Sequence, residues 1–175
     1  NIRKNYYQAF LEKMKTHQSV IYSSLLTFFI FIICVFVFKI QYEANDDRIM
    51  QLILNGTLTN GTPDYHSVFN NVIFGFLVSK LYEIIPSIEW YPIALLSFLF
   101  IANFTLNYIV FKYTNGAKKL LLVLLSLVSV WFITNLQFTS VTTYSAFAAY
   151  LIFVIERDNR LKWISIILLF LSSLI

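Results

Sequence analysis

Glu43-Ala-Asn-Asp-Asp-Arg-Ile-Met-Gln-Leu-Ile-Leu-Asn-Gly56, continued by Gly61-Thr-Pro-Asp-Tyr-His66-Ser67, is the main polar island of an otherwise apolar chain. It gathers two adjacent carboxylates, an arginine, a histidine and a proline between long runs without charge. Outward from it the composition decides the class. The chain is 58% hydrophobic, 18% aromatic and 13% charged; a soluble domain carries about 25% charged residues and needs them to cover a wet surface. The sequence therefore predicts an integral membrane protein. The net charge of +4 sits at the ends of apolar runs and forms no basic stripe with interleaved aromatics, which excludes nucleic acid as a partner. Cys34, the single cysteine, lies within an apolar run, so it forms no internal disulfide or zinc site and reads as a small buried hydrophobe.

Before the island, residues 1–18 carry Arg3, Lys4, Lys13 and Lys15 against Glu12 and read as a cytoplasmic, partly helical lead-in. Residues 19–38 are uncharged; at about 1.5 Å per residue they are long enough to cross a hydrocarbon core of roughly 30 Å. A cleaved signal peptide is the competing reading, but the run is too long and no Ala-x-Ala-like site follows.

Within the island a short interfacial helix is expected, with Asn45 as N-cap and Asp46 and Asp47 in the first turn. The helix dipole and free amides there favour negative charge, so both are expected to stay ionised. A helical wheel puts Arg48, Gln51 and Asn55 on one face and Ile49, Leu52 and Ile53 on the membrane face. It also turns Asp46 towards the membrane and leaves Asp47 at the polar edge near Glu43 and Arg48. Gly56 ends the helix in an Asn-Gly turn. Aspartates at a helix start commonly serve only as caps, and the position at a water boundary directly after a span is what raises the catalytic alternative.

After the island, residues 67–85 are long enough to span but contain Lys80 and Glu83 in their second half, each costing about 2.5 to 3.5 kcal/mol at a bilayer centre. Asn71, Gly75, Ser79 and Tyr82 form a packing stripe. A helix lying against the membrane is preferred to a crossing one. Further spans are expected at about 92–111, 120–136, 137–155 and 163–175, the last truncated. Asn103 and Asn107, one turn apart, read as interhelical hydrogen-bond partners. Charged loops at 112–119 and 156–162 separate the spans. The predicted fold is thus all-α and polytopic: a lead-in (1–18), then a transmembrane domain (19–175) with an extracytoplasmic loop of juxtamembrane helices at 39–91. With 67–85 not crossing, the basic loops all fall on one side and the acidic island on the other, as the positive-inside rule requires; a crossing helix would force the lysines at 112, 118 and 119 outward. The absence of an initial Met and the stop inside an apolar run are those expected of a fragment of a longer protein.

The order of these features resembles the amino-terminal part of GT-C glycosyltransferases, polytopic enzymes that take a sugar from a polyprenyl-phosphate carrier on the extracytoplasmic side of the membrane. Among them are lipid A aminoarabinose transferases, protein O-mannosyltransferases and bacterial glucosyltransferases of surface polysaccharides. The similar residues are Asn45-Asp46-Asp47-Arg48, Asn55-Gly56, Gly61-Thr62-Pro63-Asp64, Phe69-Asn70-Asn71 through Gly75, Leu81-Tyr82, Pro86, Trp90-Tyr91 and Gln137-Phe138-Thr139. The turn departs from the aminoarabinose transferases, whose lysine and second proline are replaced here by Asp64, Tyr65 and His66. The resemblance implies that Asp46 or Asp47 is the catalytic base. It also implies a polyprenyl-phosphate-linked sugar donor, a glycan or lipid acceptor and a place in the bacterial cell envelope.

The residues themselves fit such chemistry. A carboxylate can take the acceptor proton, and the departing phosphate needs a cation or donor, for which Arg48 and His66 are the local candidates; Asp64 joins them as a substrate-binding residue. No organic cofactor is expected, although Asp46 and Asp47 could instead hold a divalent cation. A transporter would place ionisable groups inside its spans, which here are nearly free of charge. A non-catalytic polytopic subunit or scaffold is the other reading; it has no need of either aspartate.

The loop charges yield a first prediction. With Asn60→Cys and Ser87→Cys introduced singly, an impermeant thiol reagent added outside intact cells labels both. Protection of position 87 alone would show that residues 67–85 cross.

Overall fold

The computed structural model describes residues 2–156 and 158–175, and in the opening turns of the chain the backbone together with the side chains of Tyr7, Leu11 and the residues from Lys13 onward. The charges on Arg3, Lys4, Glu12 and Arg157 lie outside the described residues. The chain is all-α, about 75% helical. In order it forms α1 (Ile2–Val37), β1 (Gln41–Tyr42), α2 (Asn45–Leu54), α3 (Val72–Ile84), α4 (Trp90–Tyr113), α5 (Lys118–Thr134), β2 (Asn135–Leu136), α6 (Phe138–Ile155) and α7 (Asn159–Ser172). Among the described residues three helices are long and apolar enough to cross a membrane: Lys13–Val37 within α1, α4 and α6. α5 and α7, with 17 and 14 residues, are shorter. The lead-in and first span form one continuous helix.

α4 is the hub. It packs on α1, α5, α6 and α3, and its contacts are polar at intervals inside an apolar bundle. Asn107 Nδ2 donates to Thr27 Oγ1 on α1 (3.1 Å) and Ser129 Oγ of α5 donates to Asn103 Oδ1 (2.6 Å). Such bonds give direction to contacts between helices whose surfaces are otherwise apolar. Near the start of α7, Lys112 Nζ reaches the buried Glu156 carboxylate at 2.7 Å and the Tyr108 hydroxyl at 2.8 Å. Lys112 is thus in the last turn of α4, and Lys118 and Lys119 open α5, so the expected 112–119 loop contracts to residues 114–117.

The two short strands are parallel, with Gln41 opposite Asn135 and Tyr42 opposite Leu136. The C-terminal ends of α1 and α5 therefore meet at the same end of the bundle, and residues 40–91 collect there. α3 lies across that end: Asn71 N donates to Leu174 O at 3.2 Å, Phe74 packs edge-on to Tyr91, and the Tyr82 hydroxyl accepts the Tyr91 amide at 3.2 Å. Asn71 caps α3, its side chain accepting from Ile73 N at 3.0 Å. The helix buries Phe74, Gly75, Val78, Ser79 and Tyr82, while Lys80 and Glu83 pair in the open.

α2 differs from its sequence reading in two ways. Ala44, not Asn45, is the N-cap, and no side chain caps the helix; Asn45 is already helical. The buried stripe is Asp47, Met50 and Leu54, not Ile49, Leu52 and Ile53, and Ile49 is 45% exposed. The wheel assumed a flat membrane as partner. Instead α2 docks on the protein core, and the residues facing it are set by the angle at which the chain leaves β1. At its C-terminus Gly56 adopts φ +87°, and a Cβ there would come within 2.8 Å of the Thr62 backbone, so the expected Asn-Gly turn forms at the point where the loop folds back on itself.

Gly75 provides a test of how α3 is seated. A Cβ at this position would stand 2.2 Å from the Tyr65 carbonyl oxygen, a backbone atom that cannot swing away. Gly75→Ala is expected to force the 65–67 segment off α3 and lower stability by about 1–3 kcal/mol despite the higher helix propensity of alanine, read as a fall in the thermal unfolding midpoint in detergent. An unchanged or raised midpoint would mean that the segment does not rest on α3.

Candidate functional site

The start of α2 places two adjacent carboxylates in opposite surroundings. Asp46 is exposed; Asp47 is fully buried at 0% exposure. Asp47 Oδ1 accepts from the Tyr91 hydroxyl on α4 at 2.8 Å and from the Phe138 amide at the start of α6 at 3.0 Å. One carboxylate oxygen thereby joins three elements that are distant in sequence. Its other oxygen, Oδ2, is buried without a protein partner. Burial pushes the Asp47 carboxyl up from its ordinary 3.8; the Tyr91 and Phe138 hydrogen bonds oppose that shift, and Asp46 and Glu43 add to it. Desolvation at Asp47 outweighs its two hydrogen bonds. The wheel's placement of Asp47 at the polar edge is corrected: Asp47 turns inward and Asp46 outward.

The remaining sequence-predicted residues do not converge on this carboxylate. Arg48 is exposed on α2. Asp64 and His66 form a pair of their own, Nδ1 to Oδ1 at 2.7 Å, and the same oxygen accepts the His66 amide at 3.0 Å; the amide and ring bonds from His66 hold the Asp64 carboxyl below its usual range. A bond from Asp64 N to Ile53 O (3.2 Å) fastens this turn to the end of α2. Among the described residues no three His, Cys, Asp or Glu side chains come together as a metal-binding group, and Asp46 and Asp47 face different surroundings.

Several participants were not singled out from sequence. In the sequence Tyr91 stands out only as half of a Trp-Tyr pair, and nothing marks Glu89 or Gln51 as site residues. The Glu89 carboxylate accepts from Gln51 Nε2 and from the Tyr82 hydroxyl, whose pKa burial pushes up to about 12. Beside them opens a groove of about 350 Å³ with Tyr42, Gln51 and Glu89 on its polar side and Pro92, Leu96 and Leu136 on its apolar side. Gln51 lies 38 residues from Glu89 and Phe138 91 residues from Asp47, so no local spacing announces these pairs.

Asp47 yields a prediction with a defined sign. Its folded pKa is above its unfolded 3.8, so the native state holds the proton more tightly and this group's contribution to stability is lost as pH rises through the folded pKa. Asp47→Asn keeps an acceptor for Tyr91 and Phe138 and should remove that pH-dependent component from the unfolding midpoint, seen as the difference between wild-type and variant curves. Asp47→Ala leaves two buried donors unpaired and should cost about 1–3 kcal/mol at any pH. Parallel wild-type and Asp47→Asn curves would show that Asp47 does not titrate as a buried group.

No protein-family model, no curated protein and no solved structure matches this chain.

Proposed function

We propose that the chain belongs to a multi-pass membrane glycosyltransferase of the GT-C type, with its N-terminus cytoplasmic and residues 39–91 on the extracytoplasmic face of the plasma membrane, and that Asp46 is its catalytic base. The observation that carries this is the split between the paired carboxylates. Asp47 is consumed in fastening α2 to α4 and α6, and this holds the first turn of α2 so that Asp46 stands exposed beside it. A base must reach the acceptor hydroxyl; an exposed carboxylate on an anchored turn can, and a buried one with an occupied oxygen cannot. The basic ends of the helices gather opposite the island, in keeping with the positive-inside rule.

In the proposed reaction the Asp46 carboxylate takes the proton of an acceptor hydroxyl. The acceptor oxygen forms a bond to the anomeric carbon as the bond from that carbon to the carrier's phosphate oxygen breaks, and polyprenyl phosphate leaves with the electron pair. Arg48 and His66 supply charge or donors to that phosphate, with Asp64 orienting the His66 ring through Nδ1. Donor and acceptor are a polyprenyl-phosphate-linked sugar and an envelope glycan or lipid.

The test uses the full-length protein in proteoliposomes with a panel of polyprenyl-phosphate-linked hexoses. Wild type is expected to transfer sugar, and Asp46→Asn to lose about 10²- to 10⁴-fold in rate with its unfolding midpoint unchanged. Wild-type rates in Asp46→Asn would remove the assigned base; no transfer by wild type from any donor would favour the non-catalytic subunit.

A further inference from the structure

Between α1 and α5 runs a groove of about 770 Å³ lined by Tyr22, Phe29, Leu122, Val123 and Leu127, with Phe111 of α4. The groove is apolar, but its mouth is not. Lys118 and Lys119 lie one turn before Leu122 and Val123 on the same face of α5, and the Lys118 ammonium is held 5.2 Å from the centre of the Phe111 ring. On α1, Lys15 lies two turns before Tyr22 on the corresponding face. The N-cap of α5, Ala117, makes no side-chain capping bond, and free amides at a helix start favour an anion. From Leu122 to Val130 the lined stretch of α5 measures roughly 12 Å, close to the depth of one hydrocarbon leaflet of about 15 Å, half of a 30 Å core.

We propose that this groove seats one anionic phospholipid of the cytoplasmic leaflet, its acyl chain between α1 and α5 and its phosphate headgroup on Lys118, Lys119 and Lys15. Charge complementarity selects this occupant. An apolar helix from a second copy would bring nothing to neutralise the lysines, and a zwitterionic lipid would bring its own cation to them. The inference rests on the membrane reading of the helices and is independent of the transferase assignment, since neither Asp46 nor any residue at the island end takes part.

The experiment embeds the full chain in nanodiscs of equimolar phosphatidylglycerol and phosphatidylcholine and counts the lipids retained by native mass spectrometry after release into mild detergent. Wild type is expected to retain phosphatidylglycerol in preference. Lys15→Gln, Lys118→Gln and Lys119→Gln together should erase the preference, by about fivefold for each lysine that engages the headgroup. Ser126→Phe, which fills the groove but keeps the lysines, should release both lipids while leaving the thermal midpoint in lipid-free detergent unchanged. Equal retention of the two lipids by wild type, an undiminished preference in the triple variant, or a lipid-free dimer as the retained species would overturn the proposal.

Discussion

One buried carboxylate holds the island end of this protein together. α2 is a short helix with no side-chain cap, and ten residues of helix are marginal alone; it owes its place to tertiary contacts. Met50 and Leu54 supply the apolar part, but apolar packing alone leaves rotation about the helix axis weakly defined. The Asp47 oxygen, with the Tyr91 hydroxyl and the Phe138 amide converging on it, fixes that rotation. Everything proposed for Asp46 depends on it, because the exposed neighbour points where it does only while Asp47 points inward.

A second set of polar contacts works inside the bundle. Asn107 with Thr27, Ser129 with Asn103, and Lys112 with Glu156 each join α4 to a different part of the structure. In a lipid environment packing of apolar faces is poorly directional, and these bonds select the register of each helix against α4. The ion pair is a special case. Its members lie at the ends of α4 and α6, where a charge can be kept near water, and separating them would take from Glu156, only 3% exposed, the ammonium that offsets its burial.

The long apolar runs were legible in the sequence because length and lack of charge are local properties: the runs at 19–38, 92–111 and 137–155 overlap the helical stretches Lys13–Val37, Trp90–Tyr113 and Phe138–Ile155. α3 was readable in part: of the stripe Asn71, Gly75, Ser79 and Tyr82 the last three form a buried face, whereas Asn71 is the N-cap of a helix that begins at Val72 rather than Ser67. The orientation of α2 was not. A wheel ranks faces by hydrophobicity and would never turn an aspartate inward, since the groups that make Asp47 tolerable inside, a tyrosine hydroxyl and a backbone amide, lie far along the chain. The same holds for Glu89 and Gln51 and for the two-residue strands, which have no periodicity long enough to detect. Polar residues whose partners are local, such as Asp64 with His66, stayed near the surface, where the sequence had put them.

The pairing of β1 with β2 has a consequence in time. Gln41 cannot meet Asn135 until the intervening helices have been made, and the amide that anchors Asp47 belongs to Phe138, a few residues later still. At ordinary translation rates that interval is on the order of 5 to 20 s. During it α1 is already complete while the edge of β1 and the Asp47 carboxylate wait for their partners. A ribosome that stalled before residue 135 would leave this latch open.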